Sequence, residues 1–207
     1  MTMSESGKPS VFAVGRDLGR TESGRRVVFM SNVIDWSARF AEMFNFVGMT
    51  EEDRQLIKTS APLVLARLGA FNDQIYDRLL EYPQARQFFV TADDRPDGPR
   101  IEANKQTMIS WMRATMAAPL NDGFIRYLAA ISQMHHNTPL HRPGLPSVPP
   151  RFIMGVLSFY QTGLAELFEE KMSDMALAWR TSKAWNKWLM LQVEPLLASY
   201  MRDEKDE

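Results

Sequence analysis

At 207 residues and 45% hydrophobic content, the chain is long enough to bury the core of one domain. Its 24 Lys and Arg nearly balance its 25 Asp and Glu, so it lacks the basic excess that a nucleic-acid or anionic membrane partner requires. The absence of cysteine excludes disulfides, iron–sulfur clusters and thiolate metal ligands.

The two ends of the chain have no apolar periodicity. Residues 1–28 are rich in Ser, Gly and Arg, so we predict a flexible arm there and a polar tail at 203–207. The arginines of the arm could bind an anion, although a solvated tail is the commoner role of such a segment. No secretory signal and no run of about 18 apolar residues is found. We therefore expect one domain at 29–202 and a cytoplasmic location.

From residue 33 onward, apolar residues recur at helical spacing. Val33, Trp36 and Phe40 predict a short amphipathic helix. Thr50 precedes three acidic residues and is a good N-cap, which predicts a second helix as far as about Thr59. The next predicted elements are a helix from Ser60-Ala61-Pro62 to Glu81, ended by Tyr82-Pro83, and a short helical turn that holds Phe88 and Phe89.

The second half of the chain continues this pattern. Residues 91–100 are a loop by composition, and the segment 138–150 carries five prolines and cannot be helical throughout. Helices are predicted at 101–117, 121–137, 151–170 and 173–201. With no strand-like alternation of useful length, the chain is predicted to form eight helical segments and an all-α fold.

Histidine is rare in this chain, which has only His135, His136 and His141. His135 continues an apolar stripe along one face of its helix, formed by Phe124, Leu128 and Ile131. It therefore points toward the core, whereas His136 is turned away by about 100°. His141 lies in the Pro-rich loop, where we expect it to be solvated.

A histidine on an apolar stripe has two explanations. It can be a core residue hydrogen-bonded to a backbone carbonyl, because burying its ring nitrogens unpaired would cost about 1–3 kcal/mol. It can also be a metal ligand. One histidine cannot build a zinc or non-haem iron site, but it suffices for haem, whose porphyrin supplies four nitrogens. The twelve Phe, fourteen Met and five Trp could line a haem pocket or simply fill a helical core.

The order of features around His135 is more specific. Ile131 stands four residues before the histidine, a Pro-rich loop follows, and Pro150-Arg151-Phe152-Ile153 begins the next helix. This order resembles the passage from the F helix to the G helix in protoglobins and globin-coupled sensors. The adjacent His136 and the long loop are more similar to protoglobins, since that loop is short in the sensors.

Three other segments resemble the same family in the same order. They are Met49 to Asp53, similar to the start of its A helix; Ile75 to Leu80 with Pro83, Phe88 and Phe89, similar to its B helix; and Trp185 to Leu189, similar to its closing helix. The resemblance covers about residues 33–202. In two departures, Ile75 replaces the usual aromatic residue, and Phe152-Ile153 stands where Trp-Tyr is common. Both could reshape the distal pocket.

The resemblance implies a globin fold of the three-over-three helical sandwich type, with an extra N-terminal helix and a haem b cofactor. His135 would ligate the iron, and Tyr76 would donate a hydrogen bond to the gas, unless its hydroxyl turns outward. The other residues expected around the haem are Thr107 as a second donor, Met108 and Trp111 as walls, and Phe89 and Phe152, which could equally serve core packing.

The expected function is reversible binding of O2, CO or NO, as a sensor or carrier. We expect a homodimer through the last two long helices and a separate signalling partner. Trp179, Trp188 and Leu189 could form the dimer contact or belong to the core. Two alternatives stay open, namely haem-dependent NO or O2 chemistry of a dioxygenase type and a haem-free signalling or scaffold module. Peroxidase chemistry is disfavoured because His136 and His141 follow the proximal position.

Overall fold

The computed structural model describes residues 35–137 and 144–201, which belong to one compact unit. Within these residues the chain is helical, as predicted, with one isolated β-bridge between Val90 and Pro96. The helices are α1 (Trp36–Phe46), α2 (Glu51–Glu81), α3 (Pro83–Arg86), α4 (Gly98–Met116), α5 (Asp122–His136), α6 (Pro150–Lys171), α7 (Met175–Leu191) and α8 (Val193–Leu196). The predicted arm at 1–28, His141 and the tail at 203–207 lie outside the described residues.

Most of the longer helices begin at a polar residue whose side chain caps them. The side chains of Asp35, Asp97, Asn121 and Asp174 each accept a hydrogen bond from a backbone N–H of the first turn that follows. Thr50 and the third residue of α2 form a reciprocal capping box. These caps explain why the predicted starts of α2 and α5 agree with the structure.

The predicted break between two helices at Ser60 to Pro62 was wrong, because α2 is continuous from Glu51 to Glu81 with Pro62 inside it. Proline removes one helical hydrogen bond, which tertiary packing can compensate. Here Ser60 is buried, and its hydroxyl donates to the Leu56 carbonyl at 2.7 Å and accepts from Trp185 Nε1 at 2.9 Å. Helix α2 also contacts α4, α6 and α7, and this packing compensates for the hydrogen bond that the proline removes.

Three other boundaries also differ from the prediction. Helix α4 starts at Gly98, earlier than expected, because Asp97 caps it and Pro99 is tolerated in a first turn. Phe88 and Phe89 follow α3 rather than lying in it. The predicted last helix is divided after Leu191, whose carbonyl has no helical donor because Pro195 lacks an N–H.

The core lies where α2, α6 and α7 pack together, with α4 against α2 and α1 against α5 and α7. Its largest fully buried side chains include Trp185, Trp188, Tyr160 and Phe168. Trp188 and Leu189 are fully buried, so their proposed role as dimer contacts is replaced by core packing, whereas Trp179 is 65% exposed. None of the helices described has the length and hydropathy needed to cross a bilayer.

Asp53 connects the start of α2 to α7. Its carboxylate accepts hydrogen bonds from the Thr50 backbone N–H at 2.9 Å and from Lys187 Nζ at 2.8 Å. Lys187 also donates to the Gly48 carbonyl at 2.7 Å. Burial acts to raise the pKa of the Asp53 carboxyl, but the hydrogen bonds from Lys187 and Thr50 outweigh it and hold the pKa below its ordinary value.

Asp53→Asn should lower the free energy of unfolding by about 1 kcal/mol at about pH 7. Because the folded-state pKa lies below the unfolded value, the wild-type advantage is complete above the unfolded pKa and is lost as the pH falls through the folded one. Urea unfolding of both proteins between about pH 7 and pH 3 measures this. Glu42→Gln, which changes an exposed carboxylate of α1, is the control. If the difference in unfolding free energy between the wild type and Asp53→Asn stays constant with pH, the charge of the Asp53 carboxylate is not what stabilises the fold.

Helices α2 and α6 approach closely at Gly163. A Cβ atom at this position would lie 2.9 Å from Phe71 Cε1, closer than carbon atoms pack. The Phe71 ring is buried and packs edge-on against Tyr160, with ring centroids 6.3 Å apart, so it has little room to move. In contrast, a Cβ at Gly155 of the same helix would meet nothing within 4 Å.

Gly163→Ala should therefore destabilise the protein by about 1–3 kcal/mol through overpacking. Gly155→Ala should instead stabilise it by about 0.5–1 kcal/mol, because alanine loses less backbone entropy in a helix. Thermal unfolding of the two variants beside the wild type measures both effects. Equal shifts of the melting temperature in the same direction would show that the close contact with Phe71 does not destabilise the Gly163→Ala variant.

Candidate functional site

A cavity of about 430 Å³ lies beside the core, bordered by residues of α2, α4, α5 and α6. Its volume falls within the range of about 300–1,000 Å³ that small-molecule and cofactor sites occupy. The lining is largely aliphatic and aromatic, with a few polar side chains. Such a cavity suits a mostly apolar ligand that is held by a small number of polar contacts.

The cavity brings together all the residues that the sequence predicted for a site. They are His135, Tyr76, Thr107, Met108, Trp111, Phe89 and Phe152. These residues come from four helices, α2, α4, α5 and α6, and from the segment after α3, so only the tertiary fold places them side by side. In contrast, His136 is not among the lining residues and packs edge-on against Tyr200, with ring centroids 5.0 Å apart.

His135 lies in the last turn of α5, on the stripe that faces inward. Its Nδ1 is 2.9 Å from the Ile131 carbonyl oxygen. A carbonyl can only accept, so Nδ1 carries the proton and Nε2 keeps its lone pair. Burial lowers the pKa of His135, and this effect outweighs the hydrogen bond to Ile131, which acts to raise the pKa. The lowered pKa favours the neutral ring. The residue is thus a neutral imidazole whose second nitrogen can coordinate a metal.

The end of α5 is tied to the last part of the Pro-rich segment. The Val148 N–H donates to the His135 carbonyl at 2.8 Å, and the Tyr200 hydroxyl donates to the Val148 carbonyl at 2.5 Å. Val148 also lines the cavity. These bonds hold the backbone of the histidine against the start of α6 and the C-terminal segment.

Tyr76 and Asn104 form a polar pair in the cavity. Tyr76 is 5% exposed and packs edge-on against Phe89, with ring centroids 5.3 Å apart. Burial raises the pKa of Tyr76 more than the Asn104 amide lowers it, so the phenol keeps its proton at neutral pH. The sequence analysis missed Asn104. Its position four residues before Met108 and seven before Trp111, on the same face of α4, was the available signal.

The remaining predicted residues act as walls. The Thr107 hydroxyl donates to the Ala103 carbonyl at 3.1 Å, so its proton is already engaged. Trp111 is fixed by a hydrogen bond of 2.9 Å from its Nε1 to Gln192 Oε1. Phe152 is half-buried, and the Arg151 guanidinium lies 5.0 Å from its ring centroid.

Arg100 is a second lining residue that the sequence analysis missed. Its Nη2 lies 3.0 Å from Asp97 Oδ2, and its backbone N–H donates to the same side chain. Its Nη1 is buried and has no hydrogen-bond partner. The sequence analysis placed this residue in the loop at 91–100, so its spacing of four residues before Asn104 on one face of α4 was not used.

A helical fold around an apolar cavity with one inward histidine is the architecture of a globin. Similarity to solved structures supports this class. The globin domain of a Geobacter sulfurreducens globin-coupled sensor matches with a TM-score of 0.63 and 22% identity, covering 77% of this chain and 96% of that one. The globin domain of E. coli DosC, in ferrous and ferric forms, matches with a TM-score of 0.59 and 12% identity, covering 79% of this chain and 98% of that one.

The sequence narrows this class to one family. The Protoglobin family model matches residues 37–206, and the chain therefore belongs to the protoglobin family. No curated protein matches the chain. The predicted family and globin fold are thus confirmed.

Proposed function

We propose that this chain binds haem b in the cavity, with His135 Nε2 as the iron ligand, and reversibly holds a diatomic gas beside Tyr76 and Asn104. The observation that carries the proposal is the state of His135, a neutral imidazole with its Nδ1–H on the Ile131 carbonyl, facing a largely apolar cavity. Membership of a globin family supports the same conclusion.

The residues of the cavity fit haem on two grounds. The lining offers one imidazole as ligand, as haem requires, because the porphyrin supplies the other four nitrogens. Aromatic and aliphatic side chains would cover the faces of the ring. When bound, haem iron supplies the position at which O2, CO or NO coordinates.

The Ile131 carbonyl would control the proximal side. Its hydrogen bond at 2.9 Å fixes the tautomer of His135 and the rotation of the ring, so the chain presents Nε2 in one orientation. The same bond raises the basicity of the imidazole modestly, because a carbonyl is a weaker acceptor than a carboxylate.

Tyr76 and Asn104 would control the gas. The phenol of Tyr76 stays protonated and can donate to a ligand atom that carries partial negative charge. An Asn104 amide that donates to the phenol oxygen leaves the phenol proton free for the gas. Reversible binding is favoured over peroxidase-type chemistry, since neither a phenol of raised pKa nor an amide is a good proton shuttle at neutral pH. Dioxygenase-type chemistry with NO is the alternative function.

The surface of α7 supports pairing with a second copy of the chain. Trp179 is 65% exposed and Met175 is 54% exposed, and both lie on α7, one of the last two long helices that are predicted to pair. A wild-type protein that sediments as a monomer at micromolar concentration would contradict this part of the proposal. A cytoplasmic location and a separate signalling partner stay predictions from the sequence.

The haem assignment is tested by the visible absorption spectrum of protein purified with haem supplied. The wild type should show a Soret band that shifts when dithionite and CO are added. His135→Ala should lose this band or show an abnormal one, because it removes the sole proposed protein ligand. His136→Ala, which changes the neighbouring ring outside the cavity, should behave like the wild type. A folded, colourless wild-type protein would leave the haem-free scaffold as the function.

The gas-side assignment is tested by stopped-flow measurement of O2 dissociation. Tyr76→Phe and Asn104→Leu should each raise the O2 dissociation rate by about two- to tenfold, which is the factor expected for the loss of a typical hydrogen bond. The double variant should fall short of the product of the two effects, because the side chains act as a pair. Ser110→Ala, an exposed hydroxyl on the same helix, is the control. Independent, multiplicative effects would show that Asn104 does not act through Tyr76.

A further inference from the structure

One charged side chain stands out in the otherwise uncharged lining of the cavity. Among the described lining residues, Arg100 alone carries a permanent charge, since Tyr76 is a protonated phenol and His135 is neutral. The Arg100 side chain is 21% exposed and comes from the first turn of α4. A cation at one point of an apolar cavity selects for a ligand with an acidic group.

Asp97 holds this guanidinium without saturating it. The Asp97 carboxylate, itself 20% exposed, contacts Nη2 at 3.0 Å, while the buried Nη1 has no hydrogen-bond partner. An arginine never deprotonates, so this nitrogen presents N–H donors of a charged group to its surroundings. A buried donor of this kind without an acceptor is strongly unfavourable. Asp97 therefore holds the Arg100 side chain in place, while Nη1 still lacks a hydrogen-bond acceptor.

We propose that Arg100 binds a carboxylate of the molecule that fills the cavity, which on the proposed function is a propionate of haem. Guanidinium groups match carboxylates in geometry and charge, and the pair gains strength where water is excluded. Asp97 acts as the positioning residue, since its carboxylate contacts Nη2 and leaves Nη1 without a partner. Because the rest of the lining is uncharged, Arg100 also selects which edge of the ring lies at the start of α4. The inference rests on the proposed function and adds the acid group of the ligand to it.

The test compares haem with haem dimethyl ester, in which both carboxylates are blocked. Arg100→Met should release haem to apomyoglobin about ten- to a hundredfold faster than the wild type, the expected value of a hydrogen bond to a charged group. The same variant should release the dimethyl ester at a rate within about twofold of the wild type. Arg113→Met removes an exposed arginine of the same helix and should leave both rates unchanged.

A further comparison requires no variant. The wild type itself should lose the dimethyl ester faster than haem by about the factor that Arg100→Met produces on haem, so a poorly folding variant does not prevent the test. If Arg100→Met changes both release rates equally, or neither, the carboxylate contact is wrong and the arginine serves the fold. If the wild type binds the ester but not haem, Arg100 does not recognise an acid. A wild-type chain that takes up neither porphyrin overturns the proposed function together with this inference.

Discussion

The hydrogen bond between His135 Nδ1 and the Ile131 carbonyl is the contact on which the site depends. It joins residues one helical turn apart, so it forms only when α5 is intact and ends beyond the histidine. It determines the tautomer of the ring and therefore which nitrogen faces the cavity. The apolar stripe of α5 packs inward and sets the direction of the side chain. A local bond and a tertiary contact thus have to agree before the imidazole can act as a ligand.

The cavity walls are rigid because buried hydrogen bonds tie them to the core. Trp111 donates to Gln192, which in turn donates to the Trp188 carbonyl at 3.2 Å. The Tyr160 hydroxyl donates to Asn72 Oδ1 at 2.5 Å, and the ring of Tyr160 packs against Trp111 at 5.3 Å. These polar groups cannot move without leaving a buried partner unpaired, which is unfavourable. The shape of the cavity is therefore maintained by α2, α4, α6 and the junction of α7 with α8.

The polar residues of the cavity are few and differ in chemistry. His135 offers a lone pair, Tyr76 and Asn104 offer neutral donors, and Arg100 offers a positive charge. A ligand that uses all of them must combine a metal, a large apolar surface and an acidic group. It must also leave space beside Tyr76 and Asn104 for a small molecule that accepts a hydrogen bond. Haem with a diatomic gas satisfies this combination, and the proposal for Arg100 explains a buried donor that the protein alone leaves unpaired.

The sequence by itself determined the helical class, the family and the inward direction of His135, because these depend on periodicity, capping residues and motif order along one chain. The cavity residues proposed from the resemblance, including Tyr76 and Phe152, could also be named in advance. Tertiary structure alone decided that α2 continues through Pro62 and that Trp188 and Leu189 are core, and it added Asn104 and Arg100 to the cavity. The reason is physical, since a proline in a helix is tolerated when neighbours hold both halves, and an amphipathic pattern does not say which partner covers a face.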